Sequence, residues 1–252
     1  MQNHSQTVAI VTGATSGIGT AIAREMAAQG HRLLLVGRRQ AEGEVLAKTI
    51  SASGSPARFI AADLSDRAAP DMIVQVALQA FGRVDLLINN AGMLTFGTAE
   101  ETPDTDWDAI MDVNLGAVFR LSRAALPALR AQGGAIVNVA SDWALTGARG
   151  AVAYAVSKAA VAQLTRCMAL DHAAEGIRVN AVCPGDTDTP MLAASLSHKA
   201  RDARLVALGA AVPMGRVATP EDVARVTAFL ASDAAGYMTG ALVPVDGGMS
   251  AG

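Results

Sequence analysis

The chain has 252 residues, of which 51% are hydrophobic, 17% charged and 4% aromatic, and its formal net charge at pH 7 is −3. This composition supports a sizeable buried core and excludes an intrinsically disordered chain. Neither sign of charge forms a long block, which argues against a nucleic-acid-binding surface or a polybasic membrane patch. No apolar run approaches the ~18 residues of a spanning helix. The first residues, MQNHSQ, lack the pattern of a signal peptide, so we expect a cytoplasmic protein with no membrane partner.

Short runs rich in β-branched residues and leucine alternate with alanine-rich stretches along the chain, and this alternation predicts parallel βαβ units. The predicted strands are Thr7–Thr12, Arg32–Val36, Ala57–Ala61, Val84–Ile88, Ala135–Ala140, Arg178–Val182 and Ala241–Val245. The predicted helices are Ile18–Gln29, Ala41–Ser53, Ala68–Phe81, Pro103–Gln132, Ala151–Ala174 and Pro220–Ser232.

One α/β domain over residues 1–252 accounts for this pattern, with a doubly wound seven-stranded parallel sheet and helices on both faces. The length permits two domains, but the connections are short and no Pro-, Gly- or Ser-rich linker interrupts the alternation. The exception is the weakly periodic segment near residues 185–213, which follows the carboxyl end of a strand. Ligands bind at such ends, so we expect this segment to be a mobile cover over the substrate.

The cysteines and histidines predict neither a disulfide framework nor a metal site. None has a spacing typical of metal ligands, and we interpret them as packing or surface residues. They are Cys167, Cys183, His4, His31, His172 and His198.

The first predicted strand runs into a glycine-rich turn, and a helix follows. Glycines here permit a tight turn and let the backbone approach a pyrophosphate, while the helix N-terminus favours an anion. The spacing is wider than the standard G-x-G-x-x-G, and on its own this turn is equally consistent with a turn that binds no ligand. The candidate cofactor contacts in it are Gly13, Thr15, Ser16, Gly17, Ile18 and Gly19.

The second predicted strand ends in Gly37-Arg38-Arg39 and carries no carboxylate. An acidic residue at this point would bond the adenosine ribose and repel a 2′-phosphate. Two guanidinium groups instead favour NADP(H), with NAD(H) possible, and Arg38 is the stronger candidate because it follows the strand end directly. The alternative is that Arg38 and Arg39 form a solvated start of the next helix.

Two further groups of candidate cofactor contacts follow the third and fourth predicted strands. Asp63, followed by Leu64, is a candidate acceptor for the adenine amino group, and Asn90-Ala91-Gly92 is expected to brace the strand ends beside the cofactor. Ordinary strand-ending turns explain the same residues.

Tyr154 and Lys158 are four residues apart on a predicted helix and share a face, and Ser141 ends the fifth strand beside them. A free phenol titrates near 10, so we expect the positive charge of Lys158, helped by an oxidised nicotinamide, to lower the pKa of Tyr154 by about 3 units, a stabilisation of roughly 4 kcal/mol. Ser141 would hold the substrate oxygen while Tyr154 exchanges a proton with it.

With these motifs the chain resembles the classical short-chain dehydrogenases/reductases from Val8 to Gly248. The shared motifs are Thr12-Gly13-x-x-x-Gly17-x-Gly19, Asn89-Asn90-Ala91-Gly92, Asn114 in Val113-Asn114-Leu115-Gly116, Ser141, Tyr154-x-x-x-Lys158, and Pro184-Gly185 followed by Thr189.

The resemblance implies a single-domain Rossmann fold and an oxidoreductase that transfers hydride between a nicotinamide cofactor and a carbonyl or secondary alcohol. It implies that Lys158 bonds the nicotinamide ribose and that Asn114 lies at a helix kink and holds a water in a proton relay. It also implies that Thr189 contacts the carboxamide, that the backbone near Pro184, Gly185 and Thr187 borders the cofactor, and that the protein is a homotetramer. Without the resemblance, Asn114 is a buried polar residue and Thr189 a helix N-cap.

Asp142-Trp143 follows Ser141, where members of the family often have small residues. Trp143 and Met191 join Ser141 as candidate substrate contacts, and further apolar candidates are Met93, Leu94, Leu192 and Leu196. The family's carrier-protein reductases present a basic residue near Glu175, so this glutamate argues against an acidic carrier as partner.

Three functions compete. The favoured one is an NADP(H)-dependent reductase or alcohol dehydrogenase acting on a small-molecule carbonyl or alcohol. The alternative is an NAD-dependent sugar, polyol or hydroxy-metabolite dehydrogenase in which Asp142 or Asp186 binds hydroxyl groups. A non-catalytic nucleotide sensor is the third, and the intact Ser141, Tyr154 and Lys158 oppose it.

Overall fold

The computed structural model describes residues 7–192 and 198–251, and in these ranges seven strands form one parallel sheet in the order β3-β2-β1-β4-β5-β6-β7. The strands are β1 Val8–Thr12, β2 Arg32–Gly37, β3 Ala57–Ala61, β4 Leu86–Asn89, β5 Ala135–Val139, β6 Arg178–Pro184 and β7 Leu242–Val245. The chain reverses its direction of winding between β1 and β4, and the carboxyl ends of these strands border the crevice where such sheets bind ligands. The predicted fold class is confirmed.

Helices cover both faces of the sheet. They are α1 Gly17–Ala28, α2 Gln40–Ala52, α3 Ala69–Phe81, α4 Asp104–Ile110, α5 Ala117–Arg130, α6 Val152–His172, α7 His198–Ala211 and α8 Pro220–Ala231. None of these described helices is both long and apolar enough to cross a membrane.

Side chains of the central strands alternate between two hydrophobic cores. In β1, Ala9 and Val11 pack in one core with side chains of α1, α2 and α8, whereas Ile10 packs in the other with α3, α5 and α6. Because side chains point to opposite faces at successive strand positions, a strand buried on both sides reads as an unbroken apolar run. This explains the sequence VAIVT of β1, which is buried throughout.

The predicted single helix over Pro103–Gln132 is wrong in its middle. A π-helical segment, Met111–Gly116, separates α4 from α5. Its Asn114 is fully buried and bonds Met93 and Ser157, which lie far away in sequence. The π-helical turn, which is wider than an α-helical one, occurs where these tertiary contacts form. Hydrophobic periodicity is a local pattern and does not reveal contacts between distant parts of the chain.

Helix α7 was not predicted, because its sequence within the segment near residues 185–213 lacks a clear apolar stripe. Arg201 of α7 donates a 2.7 Å hydrogen bond to the Asp188 carboxylate, which ties the helix to the loop after β6. The mobility of this segment stays a prediction. Two residues discussed above, His4 and Leu196, lie outside the described residues.

Candidate active site

A cavity of about 610 Å³ opens at the carboxyl ends of the strands. Among the described residues, every candidate cofactor, catalytic and substrate contact predicted from the sequence lines it except Asn114. Sequence reasoning missed Phe96 and two residues of α7, Arg204 and Leu208, which also line it. The α7 residues could not be found because the helix itself was not predicted. The structure therefore brings the predicted cofactor, catalytic and substrate residues to one place.

The glycine-rich turn forms a cradle that side chains would fill. Gly13 and Gly17 have φ angles of 64° and 51°, in the left-handed region that favours glycine. A Cβ added to Gly19 would lie 2.2 Å from the carbonyl oxygen of Gly13. Helix α1 begins at Gly17 with no capping side-chain bond and no acidic residue in its first turn. The site therefore fits a dinucleotide pyrophosphate, with backbone N–H groups free to meet it.

The two arginines after β2 have different surroundings. Arg39 donates a 2.7 Å bond from Nη2 to the carbonyl oxygen of Thr15, so it braces the glycine turn. Arg38 is exposed, lines the cavity and forms no hydrogen bond or ion pair with another described residue. Asp63 accepts bonds from the main-chain N–H and hydroxyl of Ser65, and these lower its pKa, with a further contribution from the charge of Arg38.

The turn after β4 ties the central strands together. The Asn90 side-chain amide donates to the carbonyl oxygen of Thr12 at 2.9 Å. The main-chain N–H groups of Asn90 and Ala91 both donate to the Thr12 hydroxyl, at 3.0 and 3.1 Å. The Thr12 hydroxyl in turn donates to the Ile88 carbonyl oxygen at 3.3 Å. This bracing holds the β1 and β4 ends beside the cavity.

Asn114 lies behind the cavity wall. Its Oδ1 accepts a bond from the Met93 N–H at 2.8 Å, and its Nδ2 donates to the Met93 carbonyl at 2.9 Å and to the Ser157 hydroxyl at 3.0 Å. The Ser157 hydroxyl donates to the carbonyl oxygen of Tyr154 at 2.7 Å. Both amide hydrogens of Asn114 are used within the chain, so this side chain positions α6 at Tyr154. A water relay at Asn114 stays a prediction.

Ser141, Tyr154 and Lys158 lie together in the wall of the cavity. Ser141 lies two residues after the end of β5, and its hydroxyl lies beside the phenol of Tyr154. The Trp143 ring meets the Tyr154 ring edge to face, with centroids 5.8 Å apart, and limits the positions that the phenol can adopt. The Lys158 ammonium lies 5.7 Å from the centre of the Tyr154 ring and donates a 2.7 Å bond to the carbonyl oxygen of Val139.

Burial dominates the electrostatics of this group. It raises the pKa of Tyr154 to about 12, with Ser141 opposing the rise and the charge of Asp142 adding to it. It lowers the pKa of Lys158 to about 8. In the protein alone the pKa of Tyr154 is thus raised, and its lowering by Lys158 together with an oxidised nicotinamide stays a prediction. Removing each group from water disfavours its charged form, which is the phenolate of Tyr154 and the ammonium of Lys158.

Known proteins resemble the chain along nearly its whole length. A family model described as enoyl-(acyl carrier protein) reductase matches residues 13–250. Meso-2,3-butanediol dehydrogenase from Serratia marcescens is 39% identical over 244 residues, covering 97% of this chain and 94% of the relative. A 3-oxoacyl-(acyl-carrier-protein) reductase from Thermotoga maritima is 37% identical over 245 residues, covering 96% of this chain and 97% of the relative.

Among solved structures, the ligand-free aldohexose dehydrogenase of Thermoplasma acidophilum superposes with a TM-score of 0.89 at 32% sequence identity, covering 98% of this chain and 95% of that one. The family's nicotinamide cofactor fits the glycine cradle described above. The chain thus belongs to the short-chain dehydrogenase/reductase family and is an oxidoreductase of CH–OH and C=O groups.

Proposed function

We propose that the protein interconverts a small-molecule carbonyl compound and a secondary alcohol with NADP(H), and that Tyr154 is its general acid and base. The observation that carries this proposal is the convergence of Ser141, Tyr154 and Lys158 with the glycine cradle on one cavity. A protein that only sensed nucleotides would need the cradle but not the acid-base group.

The chain supplies the proton chemistry and the orientation. A nicotinamide cofactor, when bound, supplies or accepts the hydride. In reduction, Tyr154 gives the proton of its hydroxyl to the substrate oxygen, and a pKa of about 12 keeps that proton in place at neutral pH. The buried Lys158 ammonium, 5.7 Å from the ring centre, stabilises the phenolate that remains. Ser141 orients the substrate oxygen against Tyr154.

Lys158 also has a suitable pKa to replace the proton. Its pKa of about 8 lies near physiological pH, so Nζ gains and loses a proton at little cost under those conditions. Nζ is fixed by the carbonyl oxygen of Val139, which keeps it beside the tyrosine ring. In alcohol oxidation the same proton transfers run in reverse.

The choice of NADP(H) rests on the end of β2. This strand ends at Gly37 without a carboxylate, and Arg38 offers a guanidinium that no described residue bonds. A guanidinium fork matches two phosphate oxygens. Arg39, which already holds Thr15, contributes charge to the same corner of the cavity.

Steady-state kinetics with NADPH and NADH over a panel of ketones and alcohols tests this choice. Arg38→Ala is expected to raise the KM for NADPH at least tenfold, the loss of about 1.4 kcal/mol, and to change the KM for NADH much less. Arg24→Ala, which removes an exposed arginine of α1 that does not line the cavity, is the matched control. Equal effects of Arg38→Ala on both cofactors, or a wild-type preference for NADH, would refute the assignment.

Tyr154→Phe tests the chemistry. Loss of the hydroxyl is expected to lower kcat by a factor of about 10² to 10⁴ while cofactor binding, followed by NADPH fluorescence, persists. Cofactor binding with no hydride transfer to any substrate in the wild type would instead support the sensor.

We also propose a homotetramer. Apolar side chains remain exposed on the long helices of the chain, among them Phe119 of α5 at 45% and Leu170 of α6 at 83%. Contact with further copies would remove this surface from water.

A further inference from the structure

The carboxylate of Asp142 is buried beside Ser141 with one oxygen unused. The residue is only 8% exposed. Oδ1 accepts hydrogen bonds from the Ser141 hydroxyl at 2.9 Å and from the Trp143 N–H at 2.8 Å. Oδ2 has no hydrogen-bond partner among the described residues, and Asp142 lines the cavity. A Cβ added to Gly185, another lining residue, would lie 3.5 Å from Oδ2.

The two neighbouring carboxylates, those of Asp246 and Asp186, have different surroundings from that of Asp142. Asp246 accepts bonds from the Ser250 hydroxyl and from two main-chain N–H groups. Asp186 is only half-buried and lies in the field of Arg204. Both add negative potential at Asp142, which together with burial raises its pKa. Oδ2 is open to the cavity and has no bond within the described residues, so a hydrogen-bond donor of a ligand can meet it there.

We propose that Oδ2 of Asp142 accepts a hydrogen bond from a hydroxyl group of the substrate, one or two carbons from the reacting carbon. The inference rests on the proposed function, because Ser141 is taken to hold the reacting oxygen. The carboxylate lies one hydrogen-bond length beyond the Ser141 hydroxyl, so a second oxygen close to the reacting one reaches it. The substrate is accordingly a hydroxylated ketone, or the diol formed from it, and not an anion, which the three carboxylates would repel.

A site built to bond a substrate hydroxyl discriminates strongly against the analogue that lacks it, by factors of up to about 10⁵ where the site is dry. Water can reach the cavity and replace part of the lost bond. We therefore expect a preference of at least tenfold in kcat/KM for the hydroxylated member of a matched pair, equal to about 1.4 kcal/mol.

The experiment compares matched substrates that differ by one hydroxyl: acetoin with butanone, and hydroxyacetone with acetone, each with NADPH and with NADH. The wild type is expected to prefer the hydroxylated ketone. Asp142→Ala is expected to reduce the ratio of the two kcat/KM values at least tenfold, towards one. Asp142→Asn keeps a carbonyl oxygen for Ser141 and is expected to reduce the ratio as well.

Asp71→Asn, which removes an exposed carboxylate of α3 that does not line the cavity, is the control and is expected to keep the ratio. A wild-type ratio near one, or a ratio that Asp142→Ala leaves unchanged, would overturn the inference while the proposed function stands. If neither cofactor supports reduction of any of these ketones or of the wider panel, the proposed function fails first.

Discussion

Lys158 makes the protein less stable at neutral pH than a neutral side chain of the same shape would. The residue is 4% exposed, and among the described residues its ammonium has one hydrogen-bond acceptor, the carbonyl oxygen of Val139. Lys158→Met keeps the length of the side chain and removes the charge. The variant therefore separates the cost of burying the charge from the packing of the chain.

The shift in the pKa of Lys158 sets both the size and the sign of this loss of stability. Burial lowers the pKa of Lys158 from 10.5 to about 8, a difference worth about 3 kcal/mol. The unfolded chain binds this proton more tightly than the folded protein does, so wild-type stability is reduced in full below pH 8. It recovers as the pH rises from 8 to 10.5. Between pH 7 and pH 9.5 the wild type should gain about 2 kcal/mol relative to the variant.

Urea unfolding of both proteins at a series of pH values, without added cofactor, measures this difference. The lost bond to Val139 changes stability by a similar amount at each pH, so the slope with pH is the decisive quantity. Lys48→Met, at an exposed position of α2, is the control and should run parallel to the wild type. If Lys158→Met also runs parallel, the ammonium is solvated and the argument for its role beside Tyr154 is refuted.

Three further predictions follow from the structure. Gly19→Ala should lower stability by about 1–3 kcal/mol and weaken NADPH binding, because the added Cβ would clash with the carbonyl oxygen of Gly13. Calorimetry and NADPH titration measure the two effects. Gly147→Ala is the control, since its Cβ would have no neighbour within 4 Å, and both measurements should be unchanged. Thr219→Ala removes the side-chain cap of α8 and should cost about 1 kcal/mol, or a fall in Tm of about 2–4 °C, measured by thermal unfolding. Light scattering should give about four times the 25.7 kDa of one chain, and a monomer mass would refute the assembly that the exposed Phe119 suggests.

The sheet could be predicted from the sequence because its signals are local. Each strand of the central sheet is a short apolar run bounded by turn residues, and the structure places every predicted strand within about two residues of its expected bounds. Local periodicity did not predict the π-helical segment at Asn114, where only the family resemblance implied a kink, since the segment is associated with contacts to Met93 and Ser157, 21 and 43 residues away. Helix α7 lacked an apolar stripe, so periodicity gave no signal for it.

Most residues of the candidate site could be predicted from the sequence, apart from Phe96, Arg204 and Leu208, but its electrostatics could not. Spacing alone placed Tyr154 and Lys158 on one helix face, and strand ends placed Ser141 and the glycine turn near them. The direction of the Tyr154 pKa depends on how far burial excludes water, which no motif encodes. The different surroundings of Arg38 and Arg39 could not be predicted either, because only the structure shows that Arg39 is bonded to Thr15.

The hydroxyl of Ser141 carries a single hydrogen, and its donation to Asp142 restricts the chemistry of the site. While that bond persists, Ser141 can accept a bond but cannot donate one to a carbonyl oxygen, so it holds the reacting oxygen only when its hydrogen turns from Asp142 to the substrate. A substrate hydroxyl on Asp142 would share the negative charge of that carboxylate and weaken its hold on the serine hydrogen. Recognition of a second hydroxyl and activation of the reacting carbonyl are therefore coupled through one carboxylate, whose Oδ1 lies 2.9 Å from the Ser141 hydroxyl.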